Sequence, residues 1–216
     1  MKFQLTLHST RSRSLNSFCM LLLYFSGIIP LSCSRDNEPT GSSPPQIMGI
    51  EQFPMIVGEA WTYAVHDDIN NGVDTVFVRI ISPPVGEEMF SSVWVISGRQ
   101  HIDSLFVLVN ENTLLMYDRP GDLKPSVTIV FPLFSGASWG IAIDTSVVRP
   151  EPTLAVPAGM FENTFRVDRH AWDLNYGLDS HIWINAGTGI VKIDRREYRS
   201  TNVHERWELV RFPHGQ

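Results

Sequence analysis

Between Phe53 and Phe212 apolar and polar residues alternate with a period of two, and turn residues interrupt the alternation every few positions. That period puts successive side chains on opposite faces of an extended backbone, so it predicts strands. Trp61, Tyr63 and Val65 share one face while Thr62 and Ala64 share the other. Asp68-Ile69-Asn70-Asn71-Gly72 is a hairpin signal, with Thr75–Ile81 as its return strand, and Ser82-Pro83-Pro84 ends that strand. Further strands are predicted at Val93–Ser97, Ser104–Val109, Thr113–Tyr117, Val127–Phe131, Ser138–Ile143, Thr153–Val156, Thr164–Arg169, His181–Asn185, Ile190–Arg195 and Glu205–Phe212. No window sustains an apolar stripe at i, i+3, i+4, i+7 over three turns, so any helix is short. The pattern predicts one all-β domain over residues 51–216, an antiparallel meander folded as a barrel, a half-barrel or a sandwich. The six tryptophans fall in or beside these strands, where burial in a core is their ordinary use.

The chain's beginning has a different pattern. Residues 1–13 contain Lys2, Arg11 and Arg13 and no acid, and residues 14–34 carry no charge. Phe18–Ile29 is the apolar heart of that run. A basic start, a short apolar stretch and small residues after it predict an export signal over residues 1–32. A retained membrane helix needs about 20 apolar residues, and here it would have to take in Asn16, Pro30 and several serines. Leu31-Ser32-Cys33 resembles the lipobox of bacterial lipoproteins, with Pro30 where that family prefers an aliphatic residue. The resemblance implies cleavage before Cys33, acylation of its thiol and a membrane held through lipid. Each buried methylene of such an anchor contributes about 0.8 kcal/mol. Residues 33–50 then read as a flexible tether, because Ser34–Pro45 is polar, proline-bearing and non-periodic.

Charge narrows the partners. Loss of residues 1–32 removes three of the 17 Lys and Arg and none of the 23 Asp and Glu, leaving 14 against 23 and a net charge of −9. A nucleic-acid partner would need a basic patch and is not expected. No cysteine follows Cys33, so the domain has no disulfide, thiolate nucleophile or cysteine metal site.

Three stretches resemble a loose class of uncharacterised bacterial exported β-rich proteins and lipoproteins: Phe53–Tyr63 (FPMIVGEAWTY), Val156–Val167 (VPAGMFENTFRV) and Trp183–Lys192 (WINAGTGIVK). The resemblance implies an antiparallel β fold, similar to the half-barrel of periplasmic lipoprotein carriers. It brings no catalytic residues with it.

The candidate chemistry is sparse. Asp68-Ile69-Asn70-Asn71-Gly72-Val73-Asp74 and Asp173-Leu174-Asn175-Tyr176-Gly177-Leu178-Asp179 both fit D-x-N-x-G-x-D. Calcium wants six to eight oxygens. Both loops, however, put glycine where a ligand is usual, and Arg79 and Ile184 stand where a bidentate acid would be needed. Both are therefore read as hairpin turns, with Asp68, Asn70, Asp74, Asp173, Asn175 and Asp179 as the calcium candidates. His170 and His181 flank the second loop and would face each other across a hairpin, the start of a zinc site if an acid joined them. No G-x-S-x-G elbow, phosphate-binding glycine loop or dinucleotide fingerprint is present. The expectation is a non-enzymatic, lipid-anchored envelope protein, with no cofactor, that binds an apolar or amphipathic ligand or an envelope partner. The alternative is a cell-envelope hydrolase or metal-dependent enzyme.

Overall fold

The computed structural model describes residues 46–68, 72–173, 176–198 and 203–213, for Asp173 its backbone only. The signal segment, Cys33, most of the tether, Asn70 and Asn175 lie outside the described residues. Fourteen strands follow in order: β1 Ile47–Met48, β2 Ala60–Asp67, β3 Gly72–Ile81, β4 Ser92–Ser97, β5 Ile102–Asn110, β6 Thr113–Tyr117, β7 Val127–Val130, β8 Leu133–Phe134, β9 Ser138–Ile141, β10 Asp144–Val156, β11 Gly159–Asp173, β12 Tyr176–Asn185, β13 Gly189–Tyr198 and β14 Val203–Arg211. Among the described residues one 3-10 turn occurs, at Ile50–Gln52. The protein is all-β, as its alternation predicts.

Twelve strands form one antiparallel sheet in the order β7-β6-β5-β4-β3-β2-β14-β13-β12-β11-β10-β9. The order is a meander whose first and last long strands meet in its middle, where β14 pairs with β2. The two free edges, β7 and β9, are close in sequence and are drawn together by side chains. Trp139 Nε1 of β9 donates to the Thr128 carbonyl of β7 at 3.2 Å. The Arg169 guanidinium of β11 donates to the carbonyl of Ser126, just before β7. The sheet thus coils into a nearly closed barrel, sealed along one side by side chains alone. Of the three architectures the alternation allowed, this is the barrel-like one.

One end of the barrel is plugged. β8, on the path from β7 to β9, pairs with β1 there, and Met48, Phe53, Phe131 and Leu133 are all buried. Phe53 stacks on Trp94 with ring centroids 6.1 Å apart and meets Phe131 edge-on at 5.9 Å. Trp61 packs on Trp94 at 5.8 Å. Residues 46–50, read from the sequence as tether, belong to this plug: Met48 is 1% exposed because its side chain fills the barrel's end. The stretches Phe53–Tyr63 and Trp183–Lys192 pack against each other. Trp61 Nε1 donates to the Thr188 carbonyl at 2.9 Å and the Tyr63 hydroxyl to the Ile190 carbonyl at 2.7 Å. A Cβ on Gly189 would lie 2.9 Å from Pro54 Cγ, so glycine there lets the Phe53 segment lie down on β13.

β10 is the main departure from the sequence expectation. It runs from Asp144, whereas the predicted segment begins only at Thr153, and it takes Pro150 and Pro152 within it. The Val148 N–H points away from β11, to the Ala137 carbonyl. Residues two and four further on share that direction, so both prolines lack an N–H that the β10–β11 ladder never uses. Elsewhere β11 and β12 extend the predicted segments by about five residues at an end, β7 and β9 stop one and two residues short of theirs, and β1 and β8 have no predicted counterpart.

Candidate functional site

At the other end the barrel is hollow. Inward positions of β2, β4, β6, β12, β13 and β14 bring Tyr63, Trp94, Met116, Ile182, Ile193 and Trp207 around a cavity of about 430 Å³, within the roughly 300–1,000 Å³ of small-molecule sites. Trp94 lines the cavity and stacks on Phe53 of the plug, so the aromatic layer is its floor. Burial pushes the Tyr63 phenol up, which keeps it a donor to the Ile190 carbonyl.

The mouth is charged. Arg169, Arg195, His101, Asp103, Asp118 and Glu205 line it, at or just beyond inward positions of strands. The register explains the change of chemistry. Val167, Ile182, Ile193 and Trp207 form one inward row across β11 to β14, and the next row toward the mouth is Arg169, Ser180, Arg195 and Glu205. Arg169 makes a two-pronged pair with Asp144, at 2.9 and 2.8 Å. That contact holds the Asp144 carboxyl below the usual carboxylate range and raises the guanidinium. Arg195 pairs with Glu197. His101 sits between two acids, with Nδ1 3.2 Å from Asp74 Oδ2 and Nε2 3.4 Å from Glu205 Oε1. Its ring meets Trp207 edge-on at 5.7 Å.

Asp74 organises this corner. It follows the inward parity of Val76 and Val78 on β3 and is buried. Its carboxylate accepts the backbone N–H groups of Gln100 at 2.8 Å and Arg99 at 3.2 Å, pinning the turn between β4 and β5. Those hydrogen bonds, the one from Gln100 foremost, and the one to His101 hold its carboxyl far below the usual range. A Cβ on Gly98 would stand 2.7 Å from Asp74 Oδ2, so the turn closes onto the acid only with glycine there.

Among the described residues the sequence-predicted metal candidates do not converge. Asp68 bonds His204 Nδ1 at 2.6 Å, while His204 Nε2 reaches Asp194 at 3.1 Å. Asp74 faces inward, as described. His170 and His181 do face each other, with ring centroids 6.3 Å apart, but each takes a separate cross-strand carboxylate: Asp179 for His170 and Asp168 for His181. Asp173 pairs through its backbone with Tyr176, so the second loop lies at the end of the β11–β12 hairpin. The first loop also lies at a hairpin, where Asp67 pairs with Gly72. Among the described residues no group of three or more His, Cys, Asp or Glu is placed to hold a metal.

The outer face carries its own network. Asp168, on β11, takes Arg149 Nε at 2.8 Å and His181 Nδ1 at 2.7 Å, with Arg166 also in ion-pair range. Burial alone would raise its carboxyl, but the hydrogen bonds from His181 and Arg166 outweigh burial and hold it low. Trp183 lies between Arg166 and Lys192, whose charges sit 5.8 and 5.4 Å from its ring centroid. These contacts occupy the outer face of β10 to β13.

Sequence reasoning missed the mouth residues Arg169, Arg195, His101 and Glu205. A signal for three of them was present: Arg169, Arg195 and Glu205 stand in the apolar register of their strands, where an aliphatic residue is the rule.

Fold and cavity together define a coiled antiparallel β barrel, plugged at one end and open at the other. No family model matches the chain, and no curated protein matches it. Among solved structures, it is similar to a protein from Bacteroides fragilis assigned as exported and of YmcC-like fold, at 12% identity over 75% of this chain and 98% of that one, with a TM-score of 0.41. It is also similar to a protein from Parabacteroides distasonis assigned as a lipoprotein, at 12% identity over 74% and 97% of the two chains, with a TM-score of 0.37. At these values the likeness extends to neither ligand nor residue roles.

Proposed function

We propose that the protein is exported to the cell envelope, is held there by lipid on Cys33, and binds an apolar or amphipathic ligand inside the barrel. The observation that carries the binding role is the cavity: about 430 Å³, with an aromatic and aliphatic wall, at one end of an otherwise packed core. A well-packed interior leaves few voids larger than a water molecule. A space of this size therefore represents apolar contact that the chain leaves for another molecule. The lipobox-like Leu31-Ser32-Cys33 and the preceding apolar run support the anchor.

Two measurements test the two halves. Filling the cavity with Ile193→Trp should abolish binding of a soluble aliphatic probe in calorimetry while the cooperative unfolding transition is retained. Undiminished binding by the folded variant would place the ligand elsewhere. For the anchor, the mass of membrane-extracted protein should correspond to a chain starting at an acylated Cys33, and Cys33→Ser should release the domain from membranes. A product that keeps residues 1–32, or a serine variant that stays membrane-bound, would refute lipid anchoring and leave the cavity reading intact.

A further inference from the structure

We infer that the cavity takes a single-chain amphiphile whose head is a cation, an amine or ammonium group; this rests on the binding function proposed above. The wall sets the body of the ligand. Trp94, Met116, Ile182, Ile193 and Trp207 offer no charge, and 430 Å³ is near the low end of ligand cavities. One slender apolar chain or a small ring system suits that space.

The mouth sets the head. Two of its cations are already neutralised, Arg169 by Asp144 and Arg195 by Glu197. Glu205 has His101 beside it. Asp103 and Asp118 remain. Asp103 lies on β5 and Asp118 directly follows β6, the neighbouring strand. Among the described residues neither forms an ion pair; Asp103 only accepts the N–H of Ser104, at 2.7 Å. The charge left uncompensated around the opening is thus negative and lies on one side, above an apolar chamber. Low-dielectric walls concentrate the field of such groups at the entrance. A molecule that buries an apolar tail among the strands would bring its head to this pair. A cationic head completes the pairing, whereas an anionic head meets repulsion from two carboxylates and finds both guanidinium groups occupied.

The test compares dodecyltrimethylammonium, dodecyl maltoside and dodecyl sulfate, each below its micelle concentration, by calorimetry on the purified domain at low salt. Asp103 and Asp118 are exposed, and exposed pairs contribute up to roughly fivefold each, so the cation should bind about tenfold tighter than the neutral probe, and the sulfate weaker than both. In Asp103→Asn/Asp118→Asn the three affinities should converge; asparagine still accepts the Ser104 N–H, so the strand pairing is kept. Sulfate binding as tight as the cation, neutral binding equal to the cation, or a preference surviving in the double variant would each overturn the cationic head while leaving ligand binding standing. Failure of all three probes to bind would instead overturn the binding function itself.

Discussion

The two ends of the barrel use the same kind of position, an inward-pointing strand residue, for opposite purposes. At the plugged end Phe53, Trp61, Trp94 and Phe131 close against one another, and Leu133 and Ile184 are wholly buried. At the open end the same parity carries Asp74, Arg169, Arg195 and Glu205. Apolar side chains meeting across a barrel collapse into contact, because every void forfeits dispersion and hydrophobic free energy. Several charged side chains at the mouth keep a partner near the wall instead: Arg169 holds Asp144, and His101 holds Asp74 and Glu205. Polar pairing along the wall is what stops the core from filling the barrel to its mouth. Stability and the site are thus segregated along one axis.

This comparison can be broken or sharpened in three ways, from the largest effect to the smallest. Phe53→Ala removes the ring that stacks on Trp94 and abuts Phe131; truncating a buried phenylalanine costs about 3–5 kcal/mol. Chemical denaturation should show that loss. If the variant is as stable as the parent, the aromatic plug is not where the stability resides. Gly98→Ala should act at the mouth, because the added methyl group meets Asp74 Oδ2 at 2.7 Å and Val76 Cγ2 at 2.9 Å, and the acid is pinned by two backbone N–H groups. Overpacking of this kind costs about 1–3 kcal/mol. The expected signature is faster amide exchange confined to the turn between β4 and β5 and a change in probe affinity; an affinity unchanged in a destabilised protein would separate that turn from the site.

The smallest effect is the response to acid. The carboxyls of Asp74 and Asp144 both lie below their ordinary values in the folded protein, Asp74 through the backbone hydrogen bond of Gln100 first and Asp144 through the Arg169 hydrogen bond first. A depressed folded-state value means that their stabilisation is complete above the unfolded value, about 3.9. It is lost as pH falls through the folded-state values. Amide protection at the turns beside the mouth, 98–101 and 142–143, should therefore hold down to about pH 4 and drop below it, before protection at the plug does. Simultaneous loss at both ends would show that the barrel responds as one cooperative unit.

Much of the fold was legible in the alternation. Trp61, Tyr63 and Val65 are buried on one face of β2, as their spacing demands, and the two D-x-N-x-G-x-D loops lie at hairpins as their turn residues predict. β10 was half hidden, because a proline in a strand signals a break unless one knows which side its nitrogen faces. The site was hardly legible. His170 and His181 lie near each other, with ring centroids 6.3 Å apart, yet the residues directly across the ladder from them, Asp179 and Asp168, are set by cross-strand register. Register between β11 and β12 depends on a turn and on the inward row as a whole.

By itself the sequence determined the extended, two-faced character of each segment, the hairpin order and which residues share a face, because these follow from a period of two and from turn chemistry over a few residues. Only the tertiary structure decided that β14 closes onto β2, that β7 and β9 face each other, and that His101, Arg169, Arg195 and Glu205 stand around one opening with Asp74 behind His101. The reason is separation along the chain. Asp74 and Glu205 meet through His101 across well over half of the described residues, and no local pattern encodes the curvature that brings them together.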